Sequence, residues 1–277
     1  MRMLGLLFLF FFLACTNSQS FAPQSFPERP YQLWMPDNTH SKPLPLVVLL
    51  HAYDTTPAVQ ERFFRIQTEL RKAGFAYAWP KGKSSRTGQL HWNANASCCA
   101  QDGQPSDDSA YVLAVVDDIA QRIPLDKTRV MLVGLSNGAF MAYQLACEAP
   151  ERFSKLVAVA GAPPTSCPAL SSSGPSVLHV HGDSDTLVPL EGGKFDAMAS
   201  SFPSAASMLE LWAKEGACEP IESANPPSLF RQPTTQKAWV CPKQRRHLTL
   251  WVVDGGEHRL EPTPAFSQAV LHFLNAP

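Results

Sequence analysis

The chain has 277 residues, of which 45% are hydrophobic and 17% are charged, and its formal net charge is -1. This length and composition favour one globular domain with a substantial core over a disordered chain. The near-zero charge gives no basic field for nucleic acid and no strong attraction to an anionic membrane, so small uncharged or mixed ligands are expected.

The N-terminal segment has the composition of an export signal. A cationic tip precedes an apolar stretch, Leu4–Leu13, that is too short to cross a bilayer comfortably. The junction at Cys15 resembles a lipoprotein cleavage site, which would leave an acylated cysteine; ordinary cleavage within Thr16–Ala22 is the alternative. We therefore expect residues 1–22 to be a signal with a short tether. Residues 23–277 would then form one domain that is secreted, periplasmic or held at the cell surface, with or without a lipid anchor.

Six short apolar or β-branched runs bounded by Pro, Gly or Asp predict buried strands. They are Pro45–Leu50, Phe75–Ala78, Val130–Val133, Leu156–Ala160, Val177–Val180 and Leu248–Val253. Helical patterns between and after them cover Val59–Lys72, Asp107–Arg122, Ala139–Cys147, Ser204–Glu215 and Thr263–Leu274. Because parallel strands need crossover connections, mostly helices, this alternation predicts an α/β fold with a mostly parallel sheet covered on both faces.

The segment Glu219–Lys243 is rich in Pro, Ser and Gln and is interpreted as an insertion loop. Cys218 and Cys241 flank this loop. An even number of cysteines besides Cys15 favours disulfides in an exported chain, and closing a loop of this length is worth ~3 kcal/mol, so we predict a Cys218–Cys241 bridge. A zinc site is not expected, because it needs four ligands at compact spacing. The pairing of the other four cysteines stays open: Cys98, Cys99, Cys147 and Cys167.

The predicted strand Val130–Val133 runs into Gly134-Leu-Ser136-Asn-Gly138, and a helical pattern follows. A G-x-S-x-G pattern between a strand and a helix is typical of a nucleophile elbow. A serine hydroxyl is a poor nucleophile unless a sharp turn exposes it beside a base, and the two glycines let backbone pass closely on either side. Ser136 is therefore the candidate nucleophile.

An acid and a histidine follow Ser136 in the order that the α/β-hydrolase arrangement requires. The stretch from His181 to Pro189 resembles the H-G-x-x-D-x-x-V-P sequence that supplies the triad acid in many α/β-hydrolases, which assigns Asp185 that role. Asp183 is the rival, with turn formation as its simpler interpretation. His258 follows a paired-glycine loop after the last predicted strand and is the candidate general base.

Ester cleavage also needs donors for a tetrahedral oxyanion. The backbone N–H of Asn137, directly after the nucleophile, is one predicted donor. The N–H of Tyr53, in the loop after Pro45–Leu50, is the other. The Tyr53 ring is expected either to wall the site or to close the core, and Trp92 either to line a substrate pocket or to pack as a half-buried indole.

The chain resembles the extracellular polyhydroxybutyrate depolymerase and feruloyl esterase group, including the LpqC-like esterases, over roughly Pro45 to Asn275. The resemblance rests on the following features: Leu50-His51, Trp92-Asn93 with Cys98-Cys99, the paired acids Asp107-Asp108 and the block Arg129–Gly161. The chain departs from the group around the base, where Glu257 and Leu260 replace residues of a G-G-G-H-x-W-P-G pattern.

This resemblance implies a serine esterase that acts on feruloyl or acetyl esters of plant polysaccharide or on short hydroxyalkanoate polyesters. In such an enzyme Ser136 attacks the ester, His258 transfers the proton and Asp185 orients His258. No metal or organic cofactor is expected. The alternatives are a serine peptidase or acyltransferase on the same fold, or a surface lipoprotein that keeps the fold for binding only.

Overall fold

A ten-stranded sheet lies at the centre of the computed structural model, which describes residues 18–36, 42–99, 107–222, 225–226 and 228–276. In chain order, the strands are β1 (Ser18–Phe21), β2 (Tyr31–Trp34), β3 (Leu44–Leu50), β4 (Ala76–Pro80), β5 (Lys83–Ser84), β6 (Leu90–His91), β7 (Leu125–Leu135), β8 (Lys155–Val159), β9 (Ser176–Gly182), β10 (Gly192–Gly193), β11 (Phe202–Pro203), β12 (Glu219–Pro220), β13 (Thr234–Cys241) and β14 (Arg246–Val253). The helices are α1 (Pro57–Phe64), α2 (Gln67–Lys72), α3 (Asp108–Arg122), α4 (Asn137–Glu148), α5 (Ala169–Ser172), α6 (Ala205–Glu215) and α7 (Pro264–Asn275), with a 3-10 turn at Pro150–Arg152.

The strand order in the large sheet is β1-β2-β4-β3-β7-β8-β9-β14-β13-β12. Every neighbouring pair from β4 to β14 is parallel, and the pairs at both edges are antiparallel. The four remaining short strands form two separate pairs, β5 with β6 and β10 with β11. The predicted α/β fold with a mostly parallel sheet is confirmed, and the carboxyl ends of its parallel strands share one edge.

Helices cover both faces of the sheet, so the central strands are buried on both sides. Strand β3 is buried at every residue. Its side chains alternate: Leu46 and Leu50 face a core shared with α3, α4 and α6, whereas Val47 and Leu49 face a core shared with α1, α2 and α7. This two-sided burial explains why the parallel strands are continuous apolar runs.

Part of the expected signal and tether, residues 1–22, forms a strand. Residues 18–21 are β1, which pairs antiparallel with β2 at the sheet edge. Residues 1–17, including Cys15, lie outside the described residues. None of the helices in the described part of the chain is long and apolar enough to cross a membrane.

Two sequence-based assignments of local structure are wrong. The expected loop Glu219–Lys243 contains β13, which pairs along its length with β14; its outward residues are polar because an antiparallel strand near the edge has one solvated face. The expected single helix Val59–Lys72 is two helices. Arg65 adopts a left-handed conformation with φ 53°, which ends α1 before α2 begins.

The described chain carries three disulfides. The predicted Cys218–Cys241 bridge is present and joins the loop after α6 to the end of β13. Cys147 pairs with Cys167, which ties the end of α4 to the segment before α5. The adjacent cysteines Cys98 and Cys99 pair with each other. All six cysteines other than Cys15 are therefore paired.

Candidate active site

Ser136 lies at the sharp turn between β7 and α4. Its backbone has φ 52° and ψ −121°, a conformation that non-glycine residues rarely adopt and that holds the side chain out of the strand. A side chain at Gly134 would collide with the carbonyl of Gly138, and one at Gly138 would collide with the carbonyl of Leu50. Both glycines of the G-x-S-x-G pattern are therefore required by close backbone packing.

The fold brings three distant residues into one hydrogen-bonded row. His258 Nε2 lies 3.0 Å from Ser136 Oγ, and His258 Nδ1 lies 2.7 Å from Asp185 Oδ2. An ionised carboxylate only accepts hydrogen bonds, so Nδ1 carries the proton and Nε2 is left to accept from the serine hydroxyl. This tautomer is the one that a general base beside a serine needs.

Asp185 is held as an anion by its surroundings. Burial alone would raise its pKa, but hydrogen bonds from His181, from His258 and from the backbone N–H of Val188 hold the pKa of Asp185 well below its usual range. The N–H groups of Leu187 and Val188 donate to Oδ1 at 2.9 and 2.8 Å. The carboxylate is therefore charged at neutral pH and fixed in orientation.

Asp183, the alternative candidate for the triad acid, makes different contacts from Asp185. Its exposed side chain accepts a hydrogen bond from the backbone N–H of Gly255 at 2.8 Å, and the N–H of Ser184 donates to Gly256 O at 3.0 Å. These contacts join the loop that carries Asp185 to the loop that carries His258. Sequence reasoning missed this joining role of Asp183, which no local motif indicates.

Asn137 and Tyr53, the two residues predicted to supply oxyanion donors, line the same cavity as Ser136. Asn137 is the first residue of α4, where backbone N–H groups have no carbonyl partner within the helix. Its side chain is fixed by Trp92, because Oδ1 accepts from the Trp92 N–H at 2.7 Å and Nδ2 donates to Trp92 O at 2.8 Å. Tyr53 lines the same cavity as Ser136 and Asn137 and so forms part of the wall of the site.

An apolar cavity of about 150 Å³ opens at Ser136. Apart from Ser136 and Asn137, its lining is apolar or aromatic: Tyr53, Cys98, Cys99, Phe140, Leu187, Val188, Phe195, Ala197 and Met198. A larger depression of about 510 Å³ lies elsewhere and shares no lining residue with this cavity. The cavity at Ser136 is the one that can hold a reacting group.

Trp92 does not line the substrate cavity, contrary to the pocket role considered for it. Trp92 has no exposed surface and is not among the residues that line the cavity. Its Nε1–H donates to His51 O at 2.9 Å, and its ring packs near those of His51 and Tyr111. Because both the ring and the N–H are satisfied inside the core, Trp92 lies behind the site and supports Asn137.

His51, in the loop after β3, is buried in a fixed neutral form. The Gly82 N–H donates to Nε2 at 2.9 Å, so Nδ1 carries the proton and donates to Ala52 O at 2.8 Å. Burial lowers the pKa of His51 to about 4, and the Ala52 carbonyl offsets this effect only partly. Protonation would place a charge in the core and remove the acceptor that Gly82 uses.

We expect this histidine to make the fold less stable as pH falls. Its pKa is about 6.5 in the unfolded chain, so below that pH the unfolded state binds the proton and the folded state does not, down to its folded pKa. His51 should therefore lower the free energy of unfolding by up to about 1.4 kcal/mol per pH unit between roughly pH 6 and 4. Urea unfolding of wild type and His51→Gln across this range measures the effect. His272→Gln, which changes an exposed histidine, is the control. Equal pH slopes of the unfolding free energy in wild type and His51→Gln would contradict the predicted effect of His51.

Among the described residues, no three His, Cys, Asp or Glu side chains are grouped closely enough to hold a metal ion. The cavity-lining Ser136 is joined by hydrogen bonds to the His258 imidazole and, through it, to the Asp185 carboxylate. A serine hydroxyl that can lose its proton to an oriented imidazole can attack an electrophilic carbonyl.

Proteins named as esterases are among those similar to this chain. Residues 29–163 match the model of the family described as Esterase PHB depolymerase. NocK of Nocardia uniformis subsp. tsuyamanensis, which is named as an esterase, is 30% identical over 149 residues, which are 53% of this chain and 42% of that protein. The bifunctional acetylxylan esterase/xylanase XynS20E of Neocallimastix patriciarum is 26% identical over 145 residues, 52% of this chain and 20% of that protein. The matches thus span less than half the length of these relatives.

The solved structure of acetyl xylan esterase from Aspergillus awamori has the same fold, with a TM-score of 0.64 at 17% sequence identity. The superposition covers 93% of this chain and 99% of that one. The family match, the relatives and the fold agree with the resemblance found from the sequence. Residues 29–163 are thus similar to the Esterase PHB depolymerase family, and the chain shares its fold with a solved acetyl xylan esterase.

Proposed function

We propose that the chain is a serine carboxylic-ester hydrolase that works through Ser136, His258 and Asp185. The observation that carries this proposal is the unbroken row of hydrogen bonds from Ser136 Oγ through His258 to Asp185, at the mouth of an apolar cavity. The family match and the relatives named as esterases support the same reaction.

The proposed reaction has two halves. Ser136 Oγ attacks the ester carbonyl carbon while its proton passes to His258 Nε2, and Asp185 stabilises the imidazolium that forms. The N–H groups of Asn137 and Tyr53 donate to the oxyanion. The imidazolium then protonates the leaving alcohol. A water molecule, activated in turn by His258, hydrolyses the acyl-enzyme and restores the serine.

The cavity favours a short apolar acyl group. Its volume of about 150 Å³ is well below the range of about 300–1,000 Å³ typical of pockets for drug-sized ligands. Phe140, Phe195 and Met198 supply apolar walls without a buried charge. We therefore propose acetyl or hydroxybutyryl esters as substrates ahead of feruloyl esters. An acetyl substrate also agrees with the names of two of the similar proteins.

We also propose that the chain is exported. Three disulfides in the described residues support an oxidising compartment, where such bridges persist. Cleavage before residue 18 would keep β1 in the sheet, and a lipid on Cys15 would hold the enzyme at a membrane surface. The intact mass of the protein recovered from membrane and culture fractions tests both points.

A substrate panel tests the proposed activity. Native protein and Ser136→Ala are compared on aryl acetates, hydroxybutyrate oligomers and methyl ferulate, with release of free acid as the readout. We expect native protein alone to turn over substrate, with acetyl and hydroxybutyryl esters ahead of the ferulate. Equal rates for both proteins would contradict the mechanism, and transfer to an added amine or alcohol in place of acid release would indicate an acyltransferase. A preference for ferulate would contradict the proposed acyl size.

A further inference from the structure

Behind Asp185, the core contains a row of polar side chains that the proposed mechanism does not use. The Tyr143 hydroxyl lies 2.8 Å from His179 Nδ1, and His179 Nε2 lies 2.9 Å from His181 Nδ1. His181 Nε2 in turn lies 2.7 Å from Val188 O and 3.3 Å from Asp185 Oδ2. Tyr143, His179 and His181 have no exposed surface. These three residues and Asp185 are called the inner chain below.

The acceptors of the inner chain determine where its protons are. Val188 O can only accept, so His181 Nε2 carries a proton and His181 Nδ1 is an acceptor. His179 Nε2 must then donate to it, which leaves His179 Nδ1 to accept from the Tyr143 hydroxyl. Burial, and secondarily the neighbouring His181, lowers the pKa of His179 well below its usual value, in agreement with a neutral ring. The donors of the inner chain therefore all run in one direction, from the Tyr143 hydroxyl to the His181 Nε2–H, which Val188 O accepts beside Asp185 Oδ2.

The inner chain adds a polar contact to the hydrogen-bonded Asp185 carboxylate. Oδ1 accepts from the N–H groups of Leu187 and Val188, and Oδ2 accepts from His258. The His181 Nε2–H, whose nearer acceptor is Val188 O, faces Oδ2 as a further donor at 3.3 Å. A chain of aligned hydrogen bonds polarises its members, which strengthens the last donor.

We propose that His181, His179 and Tyr143 are positioning residues, which hold the Asp185 carboxylate so that Oδ2 is aimed at His258 Nδ1. The inference rests on the proposed function. The neighbouring inward position on β9, Val177, is aliphatic and belongs to the same core. Aliphatic side chains at residues 179 and 181 would satisfy packing alone, whereas two imidazoles in matched tautomers supply a directed donor.

The test compares variants that remove the donor with one that restores it. His181→Leu removes the N–H that bonds to Val188 O and faces Asp185 Oδ2. We expect kcat to fall by about tenfold with little change in KM, which corresponds to the loss of one hydrogen bond of ordinary net strength. His181→Gln places an amide N–H near the position of Nε2 and should recover much of that kcat. Tyr143→Phe removes only the hydroxyl at the far end and should give a smaller loss. Tyr111→Phe, a buried tyrosine hydrogen-bonded to the Lys81 N–H, is the matched control and should retain kcat.

A spectroscopic readout keeps the test independent of turnover. The proton between His258 Nδ1 and Asp185 gives a low-field proton NMR resonance, and we expect Tyr143→Phe and His181→Gln to shift it while Tyr111→Phe does not. An unshifted resonance in Tyr143→Phe, or a His181→Gln variant that loses as much kcat as His181→Leu, would overturn the inference. If His181→Leu does not fold, the other variants decide. Absence of Ser136-dependent hydrolysis in wild type would instead refute the proposed function, since the resonance shift does not depend on activity.

Discussion

Ser136→Ala is expected to lower kcat/KM for ester hydrolysis by about 10⁴-fold or more, with the fold unchanged. The variant removes the atom that forms the acyl-enzyme, so only polarisation by the oxyanion donors remains. The loss should appear in kcat, because the cavity wall that binds the acyl group is otherwise intact. Steady-state kinetics on an aryl acetate measures it.

Ser184→Ala is the control for that experiment. Ser184 is exposed on the loop that carries Asp185, and its hydroxyl donates to Asp183 at 3.2 Å without contacting the row of Ser136, His258 and Asp185. Activity within about twofold of wild type is expected for Ser184→Ala, as for most surface substitutions. Retention of a tenth or more of the wild-type rate by Ser136→Ala would show that another residue is the nucleophile.

Asp185→Asn is expected to lower kcat by about 10⁴-fold at neutral pH, the loss typical when the orienting carboxylate of a serine triad becomes an amide. An amide N–H facing His258 Nδ1 would force the ring proton onto Nε2, which could then no longer accept from Ser136 Oγ. The charge that stabilises the imidazolium is also lost. Kinetics over a pH series measures this, and the loss should persist across the series because the amide does not titrate.

The neighbouring carboxylate provides a matched control. Asp183→Asn changes an exposed side chain two residues away that contacts the Gly255 N–H. An amide oxygen can still accept that hydrogen bond, so we expect a loss of less than about tenfold. A larger loss in Asp183→Asn than in Asp185→Asn would exchange the roles of the two carboxylates.

The parallel strands could be predicted from the sequence because burial on both faces makes them continuous apolar runs, as in β3. Strand β13 could not, since its outward residues are polar and its pairing with β14 depends on contacts distant in sequence. Strand β1 is short and mostly exposed, and only its pairing with β2 identifies it. The break after α1 depends on the left-handed conformation of Arg65, which no residue preference at that position indicates.

Some residues of the candidate site could likewise be predicted from the sequence, and others could not. Ser136 is marked by a local turn that requires glycine on both sides, and the order of the residues that follow points to Asp185 and His258. The orientation of the Trp92 ring, toward the cavity or into the core, is not visible in the sequence. In the structure the His51 carbonyl accepts from the Trp92 Nε1–H and holds the ring in the core. His179 and His181 lie within an apolar strand pattern, and their common direction toward Asp185 becomes visible only when β9 and α4 are packed together.

Covalent labelling with a fluorophosphonate, followed by intact mass measurement and peptide mapping, tests most directly whether Ser136 is activated as a nucleophile. The reagent reacts with a serine hydroxyl only where a neighbouring base makes it nucleophilic. We predict one adduct per chain, located on Ser136, absent in Ser136→Ala and formed much more slowly in His258→Ala. No adduct on the folded wild-type protein, or an adduct that forms equally well in Ser136→Ala, would contradict the claim that this fold activates Ser136.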